Sequence, residues 1–159
     1  MVVLKSTAEI DAMREAGQIV ASALAAVRRA ADVGTTQDAL AAGIAAARPG
    51  ATLGDVANAI GRVARGAGYG LLADHGGHGI EREMHEAPGV PNEGPAGEGM
   101  RLEAGLVLAL EPMLIAGGED DYVVDDDGWT VRTGDGTRAA HAEHTVAVTA
   151  SGPRVLTAQ

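Results

Sequence analysis

The chain has 159 residues, a formal net charge of −10 and no cysteine. Its length predicts one domain, residues 1–159, and the lack of cysteine excludes a disulfide framework, a thiolate metal site and a cysteine nucleophile. The acidic charge argues against a nucleic acid or an anionic membrane as partner, since both require a basic patch. Neither a signal-peptide pattern nor an apolar run of membrane-spanning length occurs, so we expect a cytoplasmic protein.

The first predicted element is a helix that fills most of residues 1–33. Ser6 and Glu9 have the spacing of a capping box. Apolar residues then recur at steps of three and four to about Asp32, which is the pattern of one buried helix face. Gly34 is a fitting residue to end this helix.

Two more helices are predicted before any strand. The alanine-rich run 36–47 has the composition of a short helix and ends at Arg48-Pro49-Gly50. A third helix begins after a capped start at Thr52 and continues to about Ala67.

The glycine-rich second half predicts strands and turns. Residues 89–99, which contain two prolines, form the one loop-like stretch and would suit a gate over a cavity. Helices followed by a run of strands predict an α+β fold, an antiparallel sheet covered by helices. The predicted strands are Leu106–Leu110, the hairpin Tyr122–Val124 with Trp129–Val131, Thr145–Thr149, and Val155-Leu156.

Two histidines in the second half are candidates for chemistry. His78 and His85 lie seven residues apart, and glycines at 77 and 79 allow a tight bend and a close approach to His78. An imidazole near neutral pH is a metal ligand or a proton carrier. The alternative is a polar loop whose histidines face water.

Two glutamates change the balance between these readings. Glu111 ends an apolar strand and Glu143 precedes a β-branched one, where burying a carboxylate is costly unless it is paired or binds a cation. Each alone could equally turn to solvent. Together with His78 they form a plausible ligand set for Zn²⁺, Mn²⁺, Fe²⁺ or Co²⁺, with a place left for water.

Several motifs in this order resemble type I methionine aminopeptidases, which have the pita-bread fold. The resemblance extends to the first helix at 13–17 and to DGWTV at 127–131. The four motifs that carry it are GHGI at 77–80, MHEAP at 84–88, LEPM at 110–113 and EHTVAVT at 143–149.

The resemblance implies a role for each candidate residue. It implies that His78, Glu111 and Glu143 ligate metal and that Glu111 also aids proton transfer. It implies that His85 contacts the substrate near the scissile bond and that Trp129 lines the pocket for the methionine side chain. Glu81 stands where the family prefers a small residue, which would crowd or recharge the site.

The chain also departs from the family pattern, because it is about a hundred residues shorter. The missing piece falls near 35–38 and carries the family's two metal-binding aspartates and another histidine. We therefore expect at most one divalent metal per site. Residues 36–159 correspond to the C-terminal half of the fold, whose inner sheet face would lie open, so we expect a homodimer in which a second copy replaces the lost half.

Three functions remain open from the sequence. The first is a metal-dependent hydrolase that removes N-terminal methionine or cleaves a related small amide. The second is an enzyme that uses His78, His85, Glu111 and Glu143 as acid–base groups on a small molecule, with or without metal, since creatinase shows that this fold can work without one. The third is an inactive remnant or an engineered deletion.

Overall fold

The computed structural model describes residues 4–28 and 34–158, with side chains in the first helix described as far as residue 18. Three helices precede ten short strands in this part of the chain. The helices are α1 (Thr7–Arg28), α2 (Gly34–Ala46) and α3 (Leu53–Gly66). The strands are β1 (Gly70–Leu71), β2 (Gly76–Gly79), β3 (Glu86–Pro91), β4 (Val107–Leu110), β5 (Met113–Ile115), β6 (Tyr122–Val124), β7 (Val131–Thr133), β8 (Ala139–His141), β9 (His144–Thr149) and β10 (Gly152–Val155).

The start of α1 is the predicted capping box. The Ser6 backbone N–H donates to the Glu9 carboxylate over 2.8 Å, and the Glu9 N–H donates back to the Ser6 hydroxyl over 3.4 Å. The predicted end near Asp32 lies outside the described residues. Gly34 does not end this helix, as the sequence predicted, but begins α2. A glycine is tolerated there because the first turn lacks intrahelical partners for its N–H groups in any case.

Helices α2 and α3 pack against each other at short range. Gly43 of α2 lies so close to Ile60 of α3 that an added Cβ would come within 2.7 Å of its side chain. The helix α3 begins with the predicted capping box, in which Thr52 and Asp55 exchange hydrogen bonds. Gly68, with a φ of 79°, turns the chain away after α3.

The strands are antiparallel, as the sequence predicted, but they form three sheets instead of one. The main sheet has the order β10-β9-β4-β2-β3, a second has the order β1-β5-β8, and β6 and β7 form a hairpin. The prediction of a loop at 89–99 is partly wrong, because residues 89–91 belong to β3. The strand β2 was not predicted either, since its sequence Gly-Gly-His-Gly offers no alternating side chains.

The β6–β7 hairpin also differs from its predicted bounds. Trp129 was predicted to begin the second strand, but β7 begins at Val131. The Asp127 carboxylate accepts hydrogen bonds from the backbone N–H groups of Trp129 and Thr130, which prolongs the turn.

The two faces of the main sheet are covered by different helices. Leu108, Leu110, Val146 and Val148 face the core that includes α2 and α3. Val107 and Ala147 point to the other face, where they cluster with Ile10 and Leu156. Hence α1 covers part of the inner face that the sequence predicted to be open. None of the helices in the described ranges is long and apolar enough to cross a bilayer.

Candidate metal centre

Strand pairing brings Glu111 and Glu143 face to face. Leu110 pairs with His144 in the main sheet, and Met113 pairs with His141 in the second sheet, in one unbroken register. The Ala142 N–H donates to the Pro112 carbonyl between them over 3.3 Å. Glu111 and Glu143 therefore lie opposite each other at the point where the two paired strands pass from one sheet to the other.

The negative charges of the two facing glutamates repel each other unless a positive charge lies close to both. Like charges directly opposite each other in an antiparallel pair are destabilising. The Glu111 side chain is only 12% exposed, so water screens its charge weakly. Ligand atoms of Glu111, Glu143 and His141 all lie within 4.8 Å of one another. A divalent cation fits this donor set, because it would turn the repulsion between the carboxylates into attraction to a shared charge.

His78 lies beside Glu111 and on the same face of the sheet. It pairs with Ala109 across β2 and β4, and its Nε2 is 3.2 Å from Oε1 of Glu111. Its Nδ1 is 2.9 Å from the carbonyl of Gly79. A carbonyl only accepts, so Nδ1 is the donor in this contact and Nε2 is the nitrogen that faces the Glu111 carboxylate. Nε2 is therefore available as a ligand atom on the same side as Glu111.

The glycines around His78 allow the close approach that the sequence predicted. A Cβ at Gly77 would collide with the Ala109 carbonyl, and one at Gly79 would collide with the Ala87 carbonyl. The pairing of β2 with β3 also shifts register between His78 and Gly79. Such a bulge redirects a side chain from the ordinary strand alternation.

His85 lies next to His78 in the turn that follows β2. The two ring centroids are 4.3 Å apart and the rings are tilted by 52°. The Glu86 carboxylate fixes this turn by accepting the backbone N–H groups of Arg82 and Glu83. His85 is exposed, whereas His78 beside it is half-buried.

Two site residues were missed by the sequence analysis. Nε2 of His141 is 3.5 Å from Oε2 of Glu111. Strand alternation backwards from Glu143 would have found it, since residues two apart share a face. Asn92 is 5% exposed and its Nδ2 donates to the Glu111 backbone carbonyl over 3.2 Å. No sequence pattern indicated Asn92, because the contact joins positions 19 residues apart.

Glu81 does not add an uncompensated charge to the site. Its carboxylate is 3.6 Å from Nζ of Lys5, whose side chain is only 6% exposed. Trp129, by contrast, is 88% exposed in the hairpin turn, so in the single chain it lines no closed pocket. Its predicted contact with substrate stays a prediction.

A cavity of about 290 Å³ lies between α1 and the sheet, beside Glu143. Met13 and Gly17 of α1 line one side, and Ile80 and Thr145 line the other, so most of its wall is apolar. Glu143 forms part of the same wall. The cavity thus borders the candidate metal centre at Glu143.

The comparison with known protein families matches most of the chain to one family of metallopeptidases. The model of the family described as "Metallopeptidase family M24" matches residues 33–150 of this chain. The chain belongs to this family.

Particular relatives are similar to this chain over much of its length. Methionine aminopeptidase 1 of Mycobacterium tuberculosis is 54% identical over 128 residues, which are 77% of this chain and 48% of the relative. A methionine aminopeptidase of Aquifex aeolicus is 46% identical over 124 residues, with the same coverage of 77% and 48%. The chain spans about half the length of the curated relatives that it matches.

Solved structures give the same result for the fold. The methionine aminopeptidase of Thermotoga maritima has a TM-score of 0.77 at 42% identity, and the match covers 80% of this chain and 51% of the Thermotoga chain. A prolidase from Pyrococcus horikoshii shares the fold alone, with a TM-score of 0.58 at 22% identity. The α+β half of a pita-bread fold predicted from the sequence is confirmed.

Proposed function

We propose that this chain is a metal-dependent hydrolase that removes N-terminal methionine from short peptides or cleaves a related small amide. The observation that carries the proposal is that Glu111 and Glu143 face each other and that the His78 imidazole contacts the Glu111 carboxylate. The names of the relatives supply the reaction. Because the chain spans only half of their length, its activity needs its own test.

The residues that would hold the metal are His78, Glu111 and Glu143. Mixed nitrogen and carboxylate donors suit Zn²⁺, Mn²⁺, Fe²⁺ and Co²⁺, and we expect one ion per site. When bound, such an ion supplies a polarising charge that lowers the pKa of a water molecule to about 7.

The chain's own groups divide the remaining work. Glu111 is well placed to hold a proton taken from water, because its two oxygens face different imidazoles. His85 lies on the solvent side of His78, where its ring can donate a hydrogen bond to the amide being cleaved. The apolar cavity beside Glu143 is large enough for an unbranched side chain of the substrate.

We also propose that the working form is a homodimer in which a second copy covers the site. The supporting observations are the exposure of Glu143 and His141 on one side of the centre and the apolar hairpin nearby in sequence. Val123, Trp129 and Val131 of this hairpin are 57%, 88% and 41% exposed. The lack of nucleic-acid or membrane partners and the cytoplasmic location stay predictions.

Metal analysis and peptide hydrolysis test the proposed function together. We expect the purified protein to bind one divalent ion per chain and to release methionine from Met-Ala-Ser. A chelator should abolish the release, and Glu111→Gln should lower kcat by at least about 100-fold, since it removes both a ligand and a proton acceptor.

Glu103→Gln is the control for that experiment, because Glu103 is an exposed carboxylate outside the site. It should leave the rate unchanged. Cleavage that persists in the presence of chelator would contradict the metal-dependent reaction. A protein that binds no metal and cleaves nothing would favour the acid–base enzyme or the inactive remnant.

A further inference from the structure

We infer that His141 is a further metal ligand in this chain, beside the His78, Glu111 and Glu143 of the proposed site. This inference rests on the proposed metal site and specifies its geometry. His141 is the last residue of β8 and lies two positions before Glu143, so both side chains project from the same face.

The distance between His141 and Glu111 is that of two ligands of one ion. Two donors at about 2.1 Å from a tetrahedral ion are separated by about 3.4 Å. Nε2 of His141 and Oε2 of Glu111 are 3.5 Å apart. A direct N–H···O hydrogen bond would be shorter, at about 2.9 Å. The gap therefore suits an ion that touches both atoms.

The grouping of donor atoms places His141 with both glutamates of the proposed site. In the described ranges, the residues whose donor atoms all lie within 4.8 Å of one another are Glu111, His141 and Glu143. His78 contacts the other oxygen of Glu111, at 3.2 Å. One carboxylate thus separates two imidazoles, with Oε2 facing His141 and Oε1 facing His78.

The two imidazoles also differ in exposure. The side chain of His141 is 45% exposed and that of His78 is 13% exposed. An ion between His141 and Glu143 would keep open positions towards solvent, where water and substrate can reach it. His78, more deeply placed, would bind from the interior side of the same site.

Zinc binding followed by NMR tests the inference residue by residue. In ¹⁵N-labelled protein titrated with Zn²⁺, we expect the Nε2 resonance of His141 to shift in step with zinc occupancy. His141→Ala should weaken zinc binding roughly 100-fold, because losing even a supporting residue costs 10–100-fold. His141→Gln, which keeps a polar side chain of similar reach, should weaken it comparably.

His75→Gln is the matched control, because His75 is a half-buried histidine whose Nδ1 lies 2.7 Å from the Ala73 carbonyl, outside this donor group. It should leave zinc affinity unchanged. If Glu111→Gln abolishes zinc binding while His141→Ala leaves affinity and spectrum unchanged, His141 is not a ligand and only this inference fails. If the unaltered protein binds no zinc, the proposed function fails as well.

Discussion

Glu111 is held from three sides, and each contact comes from a different part of the chain. Its two carboxylate oxygens face His78 and His141, at 3.2 and 3.5 Å. Its backbone carbonyl accepts a hydrogen bond from the buried amide of Asn92. A side chain fixed in this way offers its oxygens to an ion with little further loss of conformational freedom.

Asn92→Ala tests how far this support matters. The substitution leaves the buried Glu111 carbonyl without that donor, so the free energy of unfolding should fall by about 1–3 kcal/mol. Zinc affinity should fall as well, because the backbone that carries Glu111 loses an anchor. Urea denaturation and zinc titration measure the two effects.

Asn58→Ala is the comparison for Asn92→Ala, since Asn58 donates to the Gly94 carbonyl over 3.1 Å and is only half-buried. It should cost less stability and leave zinc affinity unchanged. Equal zinc affinity in both variants would show that Asn92 has no role in positioning Glu111.

At the residue scale, the sequence indicated those site residues whose neighbours in the chain are distinctive. His78 stands among glycines, and Glu111 and Glu143 stand at the ends of apolar strands. Asn92 lacks such a local signal, and His141 is indicated only by its spacing of two residues from Glu143. Their relation to Glu111 arises from strand pairing and loop closure, which depend on positions far apart in the chain.

Among the elements, Arg65 at the end of α3 connects the helix to two loops. Its guanidinium donates to Asp120 and to Glu93, each at 2.7 Å. Asp120 also accepts the backbone N–H of Leu71 in β1. The hydrogen bonds from Arg65 are the main cause that lowers the pKa of the Asp120 carboxyl from its usual 3.8.

The pH dependence of Asp120→Asn follows from this lowered pKa. A carboxyl whose pKa is lowered in the folded state stabilises the fold above its ordinary pKa, and the contribution is lost as the pH falls through the lowered value. At pH 7 the variant should be less stable than the unaltered chain by less than about 1 kcal/mol, since the group is partly exposed. Denaturation at pH 7 and at successively lower pH below 3.8 should show the difference closing.

Glu119→Gln provides the neighbouring reference, because Glu119 is exposed in the same loop. It should change stability little at any pH. A difference for Asp120→Asn that stays constant from neutral to strongly acidic pH would contradict the assigned role of the Arg65 contact.

Elements with strong side-chain periodicity were predictable, and those without it were not. The capping boxes at Ser6 and Thr52 mark the starts of α1 and α3 as observed. The strand β2 consists of three glycines and His78, so only its neighbours β3 and β4 define it. The turn at Trp129 lasts longer than its composition indicated because the Asp127 side chain continues it.

Seen as a whole molecule, the chain carries one half of a fold whose relatives are about twice as long. The sequence predicted this half and its open inner face. It did not predict that α1 would cover part of that face, since packing between Ile10 and Val107 joins segments nearly a hundred residues apart. The site remains open on the side of His141 and Glu143.

The single tryptophan allows the proposed dimer to be tested. Trp129 is the one tryptophan in the sequence and is 88% exposed in the single chain. If a second copy covers this face, its fluorescence should shift to shorter wavelength as protein concentration rises. Light scattering after gel filtration should report twice the 16.0 kDa mass over the same range.

Val131→Asp should weaken the dimer by placing a charge in the contact, whereas Ala150→Asp, at an exposed turn of the main sheet, should not. A protein that stays monomeric across a wide concentration range, with unchanged emission, would contradict the dimer. That result would not bear on the metal centre, whose proposed ligands all come from one chain.

The central claim is that one divalent ion binds between the facing glutamates of a half-length chain. Anomalous diffraction from crystals grown with Zn²⁺ measures this directly. The account predicts a single strong peak between Glu111 and Glu143, in contact with an imidazole nitrogen. No peak there, or a peak only at the acidic hairpin near Asp125–Asp127, would contradict it.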